Sequence, residues 1–243
     1  MKETLMRLGM CYENRVYEDL ERYMKLLDEK NRVMDLTNVP DEEIPMRHFA
    51  DSLIVAPQGF ITAGARTLAD VGTGAGFPGL PLAIMFPEMR VTLIDAQEKR
   101  CAFLREVKEA LKLDNVTVLH IRAEDAGRSR ELRGQFDICT ARAVAPLNVL
   151  AEYLLPMVRK GGSALCWKGP GAAAEMEDAR YAAAVLNAGL EEPVCMPLPE
   201  MQHYLVRFIK TGDTPDVYPR KNGTPSKAPL APGASPADRK KKG

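Results

Sequence analysis

The chain has 243 residues, 46% apolar and 27% charged, a globular composition that excludes wholesale disorder, collagen and coiled-coil arrays. Its formal charge is zero, yet residues 217–243 hold seven Lys or Arg against one Asp, leaving 26 basic against 32 acidic residues elsewhere. A basic tail on a mildly acidic body fits either a polyanionic partner or a solubilising tail.

Residues from about 3 to 56 read as helical. Tyr12, Val16, Leu20, Tyr23, Leu27 and Met34 recur at helical spacing between charged positions. Asn38-Val39-Pro40 breaks this pattern, and Asp41 is placed to cap a second helix carrying Ile44, Phe49, Leu53 and Ile54. Pro57-Gln58-Gly59 closes the segment, so residues 1–65 are expected to form an N-terminal helical extension.

From residue 66 to 211 short apolar runs alternate with amphipathic stretches. Strands are expected at 67–71, 91–95, 116–121, 136–141 and 162–168, with helices at 78–86, 98–111, 147–158 and 172–189. Two further strands, 193–199 and 204–210, read as an antiparallel edge hairpin. Strands alternating with helices predict an α/β fold with a mostly parallel sheet covered on both faces. Residues 212–243 are rich in Pro, Gly and basic side chains, and their composition alone reads as unstructured.

No apolar run is long enough to span a membrane: the longest, residues 77–86, falls well short of the roughly 20 needed. The N-terminus does not read as a signal peptide. Five cysteines, the nearest pair 27 positions apart, form no CxxC and no disulfide framework, so a cytoplasmic location is expected. The three histidines, His48, His120 and His203, have no metal-ligand spacing, so no metal site is expected.

The chemistry is concentrated in Asp70-Val-Gly72-Thr-Gly74-Ala-Gly76-Phe-Pro-Gly79, which follows the first strand and opens a helix. Glycines let the backbone turn and approach a ligand, and ligands of open α/β sheets lie at the carboxyl ends of the strands. Gly74-x-Gly76-x-x-Gly79 is formally a dinucleotide fingerprint, with Asp95 spaced to hold a ribose. The register with the strand favours a different ligand. Asp70 stands just before the first glycine, where a carboxylate opposes a pyrophosphate but suits the ammonium and sulfonium of S-adenosylmethionine. Gly72, Gly74, Gly76 and Asp95 are therefore the cofactor-binding candidates read from the residues, with a nicotinamide cofactor as the alternative.

Acceptors narrow by elimination. The stretch after the fourth strand, Thr140-Ala-Arg142-Ala-Val-Ala-Pro146-Leu147, lacks the D/N-P-P-Y/F pattern of exocyclic-amine methylation. Cys139 lies inside a strand, which disfavours carbon-5 chemistry. An acceptor already nucleophilic at neutral pH remains, such as guanine N7, which loses no proton. Arg142 is then a candidate to read the guanine edge, to steer phosphate or to hold the cofactor carboxylate; the plain alternative is an exposed arginine at a strand end.

At this point the sequence resembles the bacterial 16S ribosomal RNA guanine-N7 methyltransferases, the glucose-inhibited division protein B family. The resemblance runs from about Asn31 to Leu230. It rests on Leu36-Thr37, Arg47-His48-Phe49-Ala-Asp51-Ser52, the glycine loop, Asp95 with Lys99-Arg100 and Phe103-Leu104, Arg142-Ala143, Lys168-Gly169 and Tyr218-Pro-Arg220-Lys-Asn-Gly223-Thr-Pro225-Ser-Lys227-Ala-Pro229-Leu230. It implies a class I methyltransferase fold and methyl transfer from S-adenosylmethionine to N7 of guanine 527 in 16S rRNA, with the RNA or the small ribosomal subunit as partner and a monomeric enzyme. It also implies cofactor contacts by Gly72, Phe77, Ala123, Glu124 and Arg142, with Arg142 catalytic. A noncatalytic RNA-binding protein that keeps the fold is the alternative.

Arg47, His48 and Asp51 share one side of a helical turn, where they either face the site or form a surface charge cluster. Arg47, His48, Arg220, Lys221 and Lys227 are the candidate RNA contacts. The resemblance makes the C-terminal segment ordered to about Leu230, against its composition. Two departures stand out: Asp35 where the family has Asn, and Ala96 where it has a small hydroxyl residue.

Overall fold

The computed structural model describes residues 1–61, 64–142, 145–199 and 201–233, so Ala143 and the basic run 239–242 lie outside the described residues. The chain begins with α1 (Lys2–Arg7) and, past Gly9 at φ 73°, the long helix α2 (Asn14–Met34). Val16, Tyr17, Leu20, Tyr23 and Leu27 form its buried face, the three- and four-residue spacing that the sequence predicts. Asp35 ends α2 in the left-handed region, at φ 49° and ψ 53°. Asn and Asp tolerate that conformation, so the departure at this position keeps a helix stop.

The second N-terminal helix differs from expectation. Asp41 makes no cap; residues 41–43 form a turn, and a π-helical turn follows at Pro45–Ala50 before α3 (Asp51–Leu53). Pro45 has no N–H to continue an α-helical ladder, and the hydrogen bonding widens there.

The sheet then begins with β1 (Thr67–Val71), α4 (Gly79–Met85), β2 (Arg90–Asp95), α5 (Glu98–Leu111), β3 (Val116–His120) and α6 (Ala123–Arg128). It continues with β4 (Phe136–Arg142), α7 (Leu147–Leu154), β5 (Val158–Lys168), a 3-10 turn at Pro170–Glu175, α8 (Met176–Val185), β6 (Ala188–Leu190), β7 (Val194–Cys195), β8 (Tyr204–Lys210) and α9 (Thr224–Lys227). Strand order is β3-β2-β1-β4-β5-β8-β6, with β7 also on β8; the first five strands are parallel, and β8 runs antiparallel to β5 and β6. The winding reverses between β1 and β4, the crevice where such sheets bind ligands.

Alternation along the strands splits the core in two. Leu68, Leu93, Ile138, Leu165 and Trp167 pack against α2 to α5, while Ala69, Ile94, Cys139, Ala164 and Cys166 pack against α7 and α8.

Two local expectations are corrected and one is refined. The antiparallel edge hairpin is present as β7 and β8, and within that edge β8 lies between β5 and β6, paired with β5 from Ser163↔Ile209 to Lys168↔Tyr204. Leu205 belongs to one core cluster and Val206 and Phe208 to the other, so this strand is buried on both faces. The helix expected to reach residue 189 ends at Val185, Asn187 takes φ 56°, and β6 follows. Helix α6 was not expected, because its buried residues are only Glu124, Ala126 and Gly127, and they leave no apolar period.

The C-terminal segment is ordered through the last described residue, as the resemblance implies and composition does not. Arg133 donates to the carbonyls of Thr214 and Tyr218, Asn148 donates to the carbonyl of Leu230, and Pro219, Pro225 and Leu230 are buried. A Cβ at Gly127 would meet Pro219 at 2.9 Å, so the segment packs directly on α6.

Candidate active site

A cleft of about 420 Å³ opens at the carboxyl ends of β1, β2 and β4. Gly72, Thr73, Gly74, Ala75 and Phe77 of the glycine loop border it, with Asp95, Ala96, Gln97 and Arg100 on one side and Leu36, Thr37, His48 and Arg142 on the other. The loop is tied to the end of β2: the amides of Gly72 and Thr73 donate to the carbonyl of Ile94 at 2.8 and 3.2 Å, and that of Gly74 to Asp95 Oδ2 at 3.0 Å.

Gly72, Gly74 and Gly76 of the loop have positive φ, 68°, 60° and 107°. They differ in what surrounds them. At Gly74 an added Cβ would meet nothing closer than 4.0 Å, whereas at Gly76 it would strike Leu80 Cδ1 at 2.4 Å and the Tyr23 hydroxyl at 2.8 Å. Gly76 therefore stands behind the loop, against α2 and α4, and does not border the cleft. The space behind it makes glycine a packing requirement there.

Asp70 is also placed otherwise than expected. It is fully buried, with Oδ2 accepting from the Thr73 hydroxyl at 2.6 Å and the Gly79 amide at 2.9 Å, and Oδ1 from the Thr140 hydroxyl at 2.8 Å. Burial pushes its carboxyl up, and these donors oppose the shift. The carboxylate thus fixes the loop from behind and does not border the cleft. Asp95 does border it. Its oxygens accept from the Gln97 and Gly74 amides at 2.8 and 3.0 Å, which leaves lone pairs on both.

Arg142, at the end of β4, is the hub of the opposite wall. Its Nη1 donates to the Arg47 carbonyl and to Asp51 Oδ2, both at 3.2 Å, and its Nη2 meets His48 Nδ1 at 3.0 Å. The guanidinium lies 5.0 Å from the Phe77 ring centre. Phe77 stacks on His48 at 4.6 Å and on Tyr23 at 5.2 Å, with Phe49 edge-on. Asp51 is fully buried; its other oxygen takes His203 Nδ1 at 2.8 Å and its carbonyl accepts from Trp167 Nε1. Burial, reinforced by the Arg142 charge, pushes the His48 ring down to about 3, so it is neutral. Of the two readings left open for Arg47, His48 and Asp51, the structure divides them: His48 and Asp51 join the Arg142 network, while Arg47 turns its side chain outward to Glu43 at 2.7 Å.

Other expected site residues are not among those bordering the cleft. Ala123 and Glu124 open α6, and Glu124 Oε1 accepts from the Gly223 amide at 2.7 Å, so its carboxylate is turned to the C-terminal segment. Of the expected RNA contacts, Arg220 is tied into the fold. Its guanidinium and amide donate to Glu152, fully buried on α7, at 2.6 to 3.1 Å. Lys221 and Lys227 are exposed. The sequence reading missed Thr37 and His203 as members of the site. Thr37 stood within a matched segment without a role, and nothing local marked His203.

A family model described as rRNA small subunit methyltransferase G (GidB) matches residues 16–200. The chain belongs to this family. Proteins named ribosomal RNA small subunit methyltransferase G are 43% identical in Leuconostoc citreum, over 92% of this chain and 95% of that one, and 40% identical in Alkaliphilus metalliredigens, over 95% and 97%. The fold is similar to an O-methyltransferase of Bacillus cereus solved with S-adenosylhomocysteine, with a TM-score of 0.55 and 16% identity over 86% of this chain and 96% of that one. This family is S-adenosylmethionine-dependent, and this cleft is the candidate site for the cofactor. The open space at Gly74 and the uncommitted lone pairs of Asp95 fit that ligand. Among the described residues no cluster of metal ligands occurs, and no helix is long and apolar enough to cross a membrane.

Proposed function

We propose that this chain transfers the methyl group of S-adenosylmethionine to N7 of guanine 527 in 16S rRNA, acting as a cytoplasmic monomer on the RNA or the small ribosomal subunit. One observation carries the choice of acceptor: among the described residues bordering the cleft, no group is available as a general base. His48 presents Nδ1 to Arg142 and Nε2 to Thr37, and the free lone pairs of Asp95, across the cleft, are assigned to the cofactor ribose. Arg100 and Arg142 are donors only. An amine or hydroxyl acceptor must lose a proton, whereas purine N7 attacks with a lone pair it already has.

When bound, S-adenosylmethionine supplies an electrophilic methyl group on a sulfonium; its transfer leaves a thioether and moves the positive charge onto the purine. The chain's own work is positioning and exclusion of water. Gly72 and Gly74 bring backbone to the cofactor, and Asp95 takes its ribose hydroxyls. Ala123 and Glu124 follow β3, where the Ile121 amide bonds the Asp95 carbonyl. They serve the adenine by backbone, since Gly223 occupies the Glu124 carboxylate. Phe77 and Arg142 wall the reacting end. Residues 1–65 act as a cover, 66–211 as the methyltransferase domain and 212–243 as a brace, with Arg47, Lys221 and Lys227 meeting RNA.

The test is to incubate the chain and labelled cofactor with unmethylated small subunits, digest the RNA and locate the label by mass spectrometry. We expect 7-methylguanosine at position 527, and none with Asp95→Ala. Label on another atom refutes the acceptor; subunit binding without any label favours the noncatalytic reading.

A further inference from the structure

The hydrogen-bond chain through Arg142 fixes a proton that no described residue accepts. A guanidinium has five donors, no acceptor and a permanent charge. The contact between Arg142 Nη2 and His48 Nδ1 therefore makes Nδ1 the acceptor and puts the ring hydrogen on Nε2, a tautomer assigned from the network. The downward shift of the His48 ring agrees with a single ring proton. Nε2–H then donates to Thr37 Oγ1 at 2.7 Å, and the Val39 amide donates to the same oxygen at 3.1 Å. Both lone pairs of this hydroxyl are taken, and its own hydrogen has no partner among the described residues. Thr37 borders the cleft.

The Arg142 side of the same wall is equally one-sided. Nη1 spends both hydrogens on Arg47 and Asp51, and Nη2 spends one on His48. Nε–H and the second Nη2–H have no partner among the described residues. Among the described residues, the Thr37 and Arg142 side chains on this side of the cleft offer donors and no free acceptor. Its charge is compensated, because Asp51 lies 3.2 Å from the guanidinium, with the two side chains 0% and 15% exposed. Donors on a compensated cation suit a neutral carbonyl better than a second carboxylate. The wall also stands across the cleft from Asp95, which the proposed function assigns to the cofactor ribose.

We propose that Thr37 is the residue that selects guanine, its hydroxyl donating to the O6 carbonyl of the target base while N7 is left free to react. This rests on the guanine-N7 reading above. Adenine carries an amino group at the same position, so donor would face donor, and buried donors left unpaired reject the wrong base. Asp51 and His203 hold Arg142 from behind and act as positioning residues.

The test is a cycle between protein and base. Small subunits are reconstituted with 16S rRNA carrying either guanine or 2-aminopurine at the target; 2-aminopurine lacks O6 and keeps N7. Thr37→Val should lower kcat/KM on guanine by about 10- to 100-fold, the scale of one lost hydrogen bond. On 2-aminopurine it should change little, and Thr37→Ser should restore the guanine rate. Harm to folding or to the His48 contact strikes both bases equally and cancels in the cycle. S-adenosylhomocysteine affinity, measured by calorimetry, should stay at the wild-type value. Equal losses on both bases, no loss on either, or weakened S-adenosylhomocysteine binding overturns the assignment. Wild-type methylation at an atom other than guanine N7 overturns the parent reading, and this one with it.

Discussion

Arg220 offers the sharpest separation of a structural from an RNA-binding role. Its guanidinium and backbone amide surround the carboxylate of Glu152, which is 0% exposed. Arg220→Met deletes the charged partner and leaves that carboxylate buried. Removing one member of a buried pair costs about 3–5 kcal/mol. The Arg220 side chain is 24% exposed, so water reaches the gap and the lower end, about 3 kcal/mol, applies. In a domain of this size each kcal/mol lowers Tm by about 2–4 °C, a fall of about 6–12 °C. Urea unfolding followed by fluorescence of Trp167, the chain's one tryptophan, measures the loss directly. The double variant Glu152→Gln, Arg220→Met should regain most of it, because Gln still accepts the backbone amide and no lone charge is buried. The salt dependence of RNA binding should be unchanged in both. Wild-type stability for Arg220→Met, with a log–log salt slope shallower by about 0.7, would mean that this arginine meets phosphate and that the reasoning is wrong.

Two further outcomes follow from the loop and its neighbours. Gly76→Ala meets Leu80 and Tyr23 at a φ of 107° and should lose about 3 kcal/mol or more in urea unfolding. Gly74→Ala has open space at φ 60° and should lose only about 1–2 kcal/mol; equal losses would contradict the two environments. Acid should weaken the fold through His48: its native ring is held down to about 3, so below the unfolded value near 6.5 only the unfolded state takes the proton. Stability from this group is complete above about pH 6.5 and declines by roughly 2 kcal/mol by pH 5. His48→Gln should show a flatter stability profile between pH 6.5 and 4.5, and an unchanged slope would exclude His48 as the source.

Helix α5 was legible because Cys101, Leu104, Val107 and Leu111 repeat on one face, and its observed bounds are those expected from the sequence. The glycine loop was legible because positive φ leaves a mark in residue type. Helix α6 was not, since its burial comes from Glu124 and from Pro219 packing on Gly127, neither of which is periodic. The location of Asp70 was misjudged for a related reason: spacing puts a carboxylate beside the loop but does not say which side of the backbone it faces. The Arg142 hub drew on His48 and Asp51, close in sequence to one another, and on His203, 152 positions from Asp51. Only the fold reveals that last partner. Composition misread residues 212–233 because the segment is held along the surface by Arg220, Asn222 and Gly223, and these anchors are single contacts without a pattern.

The place of β8 between β5 and β6 bears on how the chain is made. Synthesis proceeds in sequence order, so β6 and β7 emerge before the strand to which both pair. Until Tyr204–Lys210 has left the ribosome, β5 presents an open parallel-sheet edge and the two short strands have nothing to join. Such an edge is a ready template for another chain. A product that stops before residue 203 therefore carries the glycine loop, Asp95 and Arg142, yet remains a sticky fragment, missing both the strand that seals its sheet and the histidine that backs Asp51.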